Sequence, residues 1–144
     1  MTGRLEQRLS AAVKQLQLGL RVAIDRALAD CDLGMAQAAV LDVLAERGDQ
    51  TCSEAARSCA ITRQSIQEIV TGLYRRGLLE KSADPADARH IVIDLTEEGR
   101  QAARKCRKTI QDIETRMVHG LRKQDQAKLL SRLNACTRNL DQQK

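Results

Sequence analysis

The residues best suited to chemistry gather between Thr62 and Thr96. Arg63, Gln64, Ser65 and Gln67 form a short cluster of donors and acceptors, and the later stretch Asp84-Pro85-Ala86-Asp87-Ala88-Arg89 packs two acids and an arginine around the chain's single proline. Arg suits the O6 and N7 of guanine, Gln suits the N6 and N7 of adenine, and all four of the clustered side chains can donate to phosphate oxygens. Nothing here resembles catalytic machinery. The chain shows no nucleophile with a matched base, no recognisable carboxylate pair and no phosphate-binding loop, so an enzyme is not expected.

The elements that must position these side chains can be read from the flanking residues. Thr51-Cys52-Ser53-Glu54 has the T-x-x-E form of a capping box and predicts a short helix running to about Ser58. Thr62 is a second cap, and Ile66, Ile69, Val70 and Leu73 supply the buried stripe of a helix that Gly77 ends. Two helices joined by a short turn, the second polar at its start, make a helix-turn-helix pattern. A short strand, the charged turn and a second strand from Ile91 to Leu95 then make a hairpin. Together these predict a winged helix-turn-helix, whose helix enters a major groove while the hairpin tip reaches the neighbouring minor groove.

Long amphipathic helices flank this lobe. Leu5, Leu9, Val13, Leu16, Leu20, Ile24 and Leu28 recur at three-and-four spacing, and Met35 to Glu46 resumes the period after Asp30, Cys31, Asp32 and Gly34. Thr96-Glu97-Glu98 opens a helix carrying Ala103, Cys106, Ile110, Ile113 and Met117. After Gly120, a last helix carries Leu129, Leu130, Leu133, Cys136 and Leu140. The expected order is four helices, a two-stranded wing and two helices, a mainly α chain with a small β-wing. The terminal stripes exceed what a small lobe can cover, so a second subunit is the economical partner, with an intramolecular bundle as the alternative.

Composition narrows the partner. With 42% apolar residues but one Tyr, no Phe and no Trp, the core must be aliphatic, and base stacking on aromatic platforms is not available. A net charge of +5 and a pI near 9.2 suit a polyanion. Five cysteines at irregular spacing, with no C-x-x-C pair, suggest reduced thiols rather than a disulfide framework or a metal site. Cys59, Cys106 and Cys136 read as small core hydrophobes. Cys31 and Cys52 lie at helix boundaries, where a lowered thiol pKa would make them candidate redox sensors. His90 and His119 read as surface histidines. The first residues carry no apolar signal-peptide run and no segment reaches membrane-spanning length, so a soluble cytoplasmic protein without cofactor is expected.

Helix order, the helix-turn-helix at Thr51 to Arg76, Gly77-Leu78-Leu79, the wing and Leu95-Thr96-Glu97-Glu98-Gly99 together resemble the MarR family of bacterial transcriptional regulators. The family's wing usually shows Asp-Arg-Arg followed by a strand and Leu-Thr-x-x-Gly; here Asp87-Ala88-Arg89 keeps the outer positions. The resemblance implies one MarR-like domain over 1–144, with a winged helix-turn-helix lobe at about 35–98 and dimerisation helices at about 4–30 and 99–142. It implies a homodimeric repressor on a pseudo-palindromic double-stranded operator, released by a small-molecule effector or by thiol oxidation. By position, Arg63, Gln64, Ser65 and Gln67 would contact DNA from the recognition helix, Arg89 would enter the minor groove, and Asp87 would brace Arg89. Ala88 removes one cation from the usual tip. Glu68 has three readings: acceptance from cytosine, an ion pair with Arg63 or Arg75, or exposure to solvent. Arg75 and Arg76 are read as a solvated basic end or a phosphate clamp. A winged-helix module that binds protein instead of DNA is the alternative that Glu68, Ala88 and the modest charge bias favour.

Overall fold

The amphipathic spacing near the N-terminus produces a helix, α1 (Thr2–Ala27), whose apolar stripe is buried only at its end. In the computed structural model, which describes residues 2–141, Ile24 and Leu28 sit in the core while Leu9 is 60% exposed and Val13 and Leu16 are also exposed. The side chain of Leu5 lies outside the described residues. A single 3-10 turn, Ala29–Cys31, reverses the chain, with Asp32 left-handed at φ 53°. Helix α2 (Met35–Arg47) then starts at Gly34, which has no side chain to cap it. Asp25 of α1 takes over that role, accepting from the Met35 amide at 2.8 Å.

The next elements form the lobe. A two-residue strand β1 (Gln50–Thr51) leads into α3 (Cys52–Cys59), then α4 (Arg63–Arg75), β2 (Leu79–Ala83), β3 (Ile91–Leu95), α5 (Glu97–Met117) and α6 (Lys123–Asp141). The expected two-stranded wing is thus part of a three-stranded antiparallel sheet in the order β1-β3-β2. The extra strand pairs Gln50 with Ile93 and Thr51 with Val92. It is too short and too polar to show alternation. The helix and strand order otherwise follows the expectation.

The core is aliphatic. Leu41, Leu44, Ile66, Leu73, Ile93 and Leu95 are almost fully enclosed, joined by Val40, Val70, Ala55 and the thiol of Cys106. Thr96 locks the next helix onto this core: its hydroxyl donates to the Gly77 carbonyl at 2.6 Å and accepts from the Gly99 amide at 3.0 Å. Its amide donates to the Leu78 carbonyl at 3.1 Å. A Cβ at Gly99 would collide with that same carbonyl oxygen. The Leu-Thr-x-x-Gly pattern therefore has a steric reason: α5 begins against the loop after α4, and only glycine leaves room.

The chain divides into two compact units, Met1–Gln111 and Asp112–Lys144, with the boundary inside α5. In the second unit α6 has no buried residue; Leu130 and Leu133 are exposed and Leu140 is 73% exposed. Cys136, expected in a core, is exposed as well. The residue lies on an apolar stripe, but that stripe is uncovered within one chain. Among the described residues, no helix is long and apolar enough to cross a membrane.

Candidate nucleic-acid interface

Local hydrogen bonding builds the helix-turn-helix as the sequence requires. Thr51 accepts from the Glu54 amide at 3.2 Å while Glu54 accepts from the Thr51 amide at 3.0 Å, completing the capping box of α3. Ala60 turns left-handed at φ 54°, and the Ile61 amide donates to the Ala56 carbonyl at 3.1 Å, which closes α3. Thr62 caps α4 by accepting from the Ser65 amide at 3.0 Å.

Helix α4 then buries Ile66, Val70 and Leu73 and turns its other face outward. Gln64 and Gln67 are exposed one turn apart, with Glu68 exposed beside them. Arg63 is exposed but folds back on α3, its guanidinium donating to the Ser53 hydroxyl at 3.0 Å. Ser65 is half-buried and its hydroxyl accepts from Thr62 at 2.9 Å, so part of its capacity is spent on the cap. Glu68 is exposed, and the Arg63 guanidinium goes to Ser53 rather than to it. Ser53 is a support that the sequence did not reveal; its link to Arg63 spans ten positions and two helices.

The wing tip is held by polar contacts alone. Asp84 forms an Asx turn, its carboxylate accepting from the Ala86 amide at 2.9 Å, with Pro85 fixing the first turn position. The Asp84 amide donates to the His90 carbonyl at 2.9 Å and closes the hairpin. Beyond it, Arg89 has a side chain 89% exposed, yet its guanidinium is pinned to Asp87 through Nε at 3.1 Å and Nη2 at 2.9 Å. The Arg89 amide also donates to that carboxylate at 3.1 Å. These bonds hold the Asp87 carboxyl below its ordinary pKa and push the Arg89 guanidinium further up. The imidazole of His90 lies 3.6 Å from the same carboxylate.

The two boundary thiols differ. Burial pushes the Cys52 thiol up in spite of its position at a helix start and the nearby Lys81, against the lowered pKa expected there. Cys31 is half-buried beside Lys105, whose ammonium is raised chiefly by its hydrogen bond to that thiol. Cys106 is buried, as expected of a core thiol, and Cys59 is half-buried; burial raises both.

At the far end of α4, Arg76 is exposed but folds back onto the turn after α1. Its Nη1 donates to the Asp32 carbonyl and its Nη2 to the Cys31 carbonyl, each at 2.6 Å. Arg75 is exposed.

Residues 32–90, the lobe that carries both surfaces, match the sequence profile of the MarR family. The solved structure of a transcriptional repressor, CouR, bound to a 23-mer DNA duplex, superposes with a TM-score of 0.83 at 27% identity over 95% of this chain and 97% of that one. Over residues 32–90 the chain is therefore similar to the MarR family. A 70-residue stretch is also 33% identical to the HTH-type transcriptional repressor NicR of Pseudomonas putida, covering 49% of this chain and 44% of that repressor. The chain thus matches less than half the length of that curated relative. BpsR of Bordetella bronchiseptica, whose DNA binding is regulated by 6-hydroxynicotinic acid, shares the fold at TM-score 0.82 and 22% identity over 89% of this chain and 91% of that one.

Proposed function

We propose that this chain is a MarR-family, sequence-specific DNA-binding transcriptional regulator in the cytoplasm, a homodimeric repressor released by a small ligand. One observation carries the reading: a single lobe presents exposed Gln64 and Gln67 on a core-anchored helix together with an exposed Arg89 braced by Asp87 on a hairpin tip. Helix donors suit base edges in a major groove, and an outstretched arginine suits the negative potential of a narrow minor groove. The likeness to the DNA-bound CouR favours DNA over a protein partner for the same surface.

The uncovered stripes on α1 and α6 support pairing with a second copy, because an apolar face of that length is costly in water. A cleft of about 350 Å³ between α2, β3 and α5, lined by Leu44, Leu95 and Ala103 with Arg100, Arg104 and Arg107, is a candidate place for an effector. Arg107 is already committed there to Asp42 and Glu46, each at 2.6 Å. If a thiol takes part in release, Cys31 beside Lys105 suits oxidation better than Cys52, whose thiolate is disfavoured by burial.

The test is selection from a random pool of duplexes with the purified protein, followed by sedimentation of the free and bound forms. The expected result is a pseudo-palindromic site with half-sites about one helical turn apart, bound by a dimer with a steep salt dependence. No enriched sequence, or a stable monomer at micromolar concentration, would contradict the reading.

A further inference from the structure

We propose that Arg76 is a positioning residue that sets the angle of the recognition helix against the end of α1, and through it the fit of the dimer to its half-site spacing. The inference rests on the DNA-reading function proposed above. The strap joins two rigid ends. Helix α4 closes in a Schellman motif, with the Gly77 amide donating to the Tyr74 carbonyl at 3.0 Å, the Leu78 amide to Leu73 at 3.0 Å, and Gly77 at φ 75°. The turn after α1 is wound the same way: the Asp32 amide donates to Ala29 at 3.0 Å and the Leu33 amide to Leu28 at 3.2 Å. Leu28 and Leu33 anchor that turn in the core.

Across this junction Arg76 spans 44 and 45 positions of sequence to donate to the Asp32 and Cys31 carbonyls. A guanidinium fork across two adjacent carbonyls fixes direction as well as distance, which a single donor does not. The leverage is large, because Gln64 lies twelve positions before Arg76, about 18 Å along the axis at the helical rise. A tilt of about 5° about the C-terminal end would move Gln64 by about 1.5 Å, more than a bidentate base contact tolerates. Arg76 thus links the end of the helix with the uncovered apolar stripe to the helix that presents Gln64 and Gln67. The two carbonyls hold one N–H of each Nη, and whether the remaining donors also reach a phosphate is read from the salt slope below.

The measurement uses the full chain and the tightest duplex from the random selection, together with copies of it carrying one base pair more or fewer between half-sites. Wild type should prefer the selected spacing. In Arg76→Gln that preference should fall about tenfold, as the loss of two charge-assisted hydrogen bonds allows, while the slope of affinity against salt stays at its wild-type value. Arg76→Lys keeps a cation but cannot fork, and should lie between the two; it also serves if Arg76→Gln does not fold. An unchanged spacing preference in the folded variants would overturn the proposal, as would a salt slope lowered by about one unit, the signature of a lost phosphate contact. Wild-type protein that selects no duplex would overturn the DNA-reading function and this inference together. A wild type that selects a duplex while the variants keep its preference removes this inference alone.

Discussion

The recognition helix and the wing tip expose polar side chains of the same lobe by different physical means. Helix α4 is held by Ile66, Val70 and Leu73, each almost wholly enclosed, so Gln64 and Gln67 inherit the rigidity of close-packed core. The tip from Asp84 to His90 has no enclosed side chain and depends on the Asp84 turn and the Asp87–Arg89 pair. Packing is indifferent to salt, whereas exposed ion pairs are screened by it. Base preference should therefore follow the helix, and the electrostatic part of binding should follow the wing.

The contrast breaks most visibly at Ile66. Ile66→Ala leaves a cavity beneath α4 and should destabilise the fold by about 2–5 kcal/mol, read as a lower denaturant midpoint, with operator affinity falling for every sequence. Arg89→Ala should leave that midpoint unchanged and cost about 1–3 kcal/mol of operator affinity. Asp87→Ala should cost less than Arg89→Ala, and adding it to Arg89→Ala should cost nothing further, because its role is to hold the arginine. A double-mutant cycle of binding constants decides this. Gln64→Ala should have the smallest effect on total affinity and the clearest effect on which base pairs are preferred, measured by repeating the selection.

A pH titration sharpens the wing half. The Asp87 carboxyl has a folded pKa depressed by Arg89, so the pair's contribution is fully present above the ordinary aspartate range and is lost as pH falls through the lower folded value. Carboxyl NMR should show an Asp87 midpoint below that of a free aspartate. In Arg89→Ala the midpoint should return upward. An Asp87 midpoint that ignores the substitution would mean that the pair is not formed in solution.

Local chemistry was legible in the sequence, and long-range chemistry was not. The capping box at Thr51, the cap at Thr62 and the span of β3 follow from patterns a few residues long, and the structure reproduces them. Strand β1 escapes such reading because two polar residues carry no period; its existence depends on β3 lying alongside. The Arg76 strap and the Arg63–Ser53 bond join residues whose proximity only the fold creates. At Cys52 the helix-start rule pointed one way and burial the other, and burial prevails. Cys136 shows the reverse failure, since periodicity reports an apolar face without saying whether anything within the chain covers it.

The most direct test of the divided roles is the salt dependence of operator binding in Arg89→Ala beside wild type. If the wing supplies an arginine to the minor groove while α4 reads bases, the variant's plot of log affinity against log salt should be shallower by about one unit, with its order of preferred base pairs in the major groove unchanged. A wild-type slope and affinity in Arg89→Ala would contradict the account.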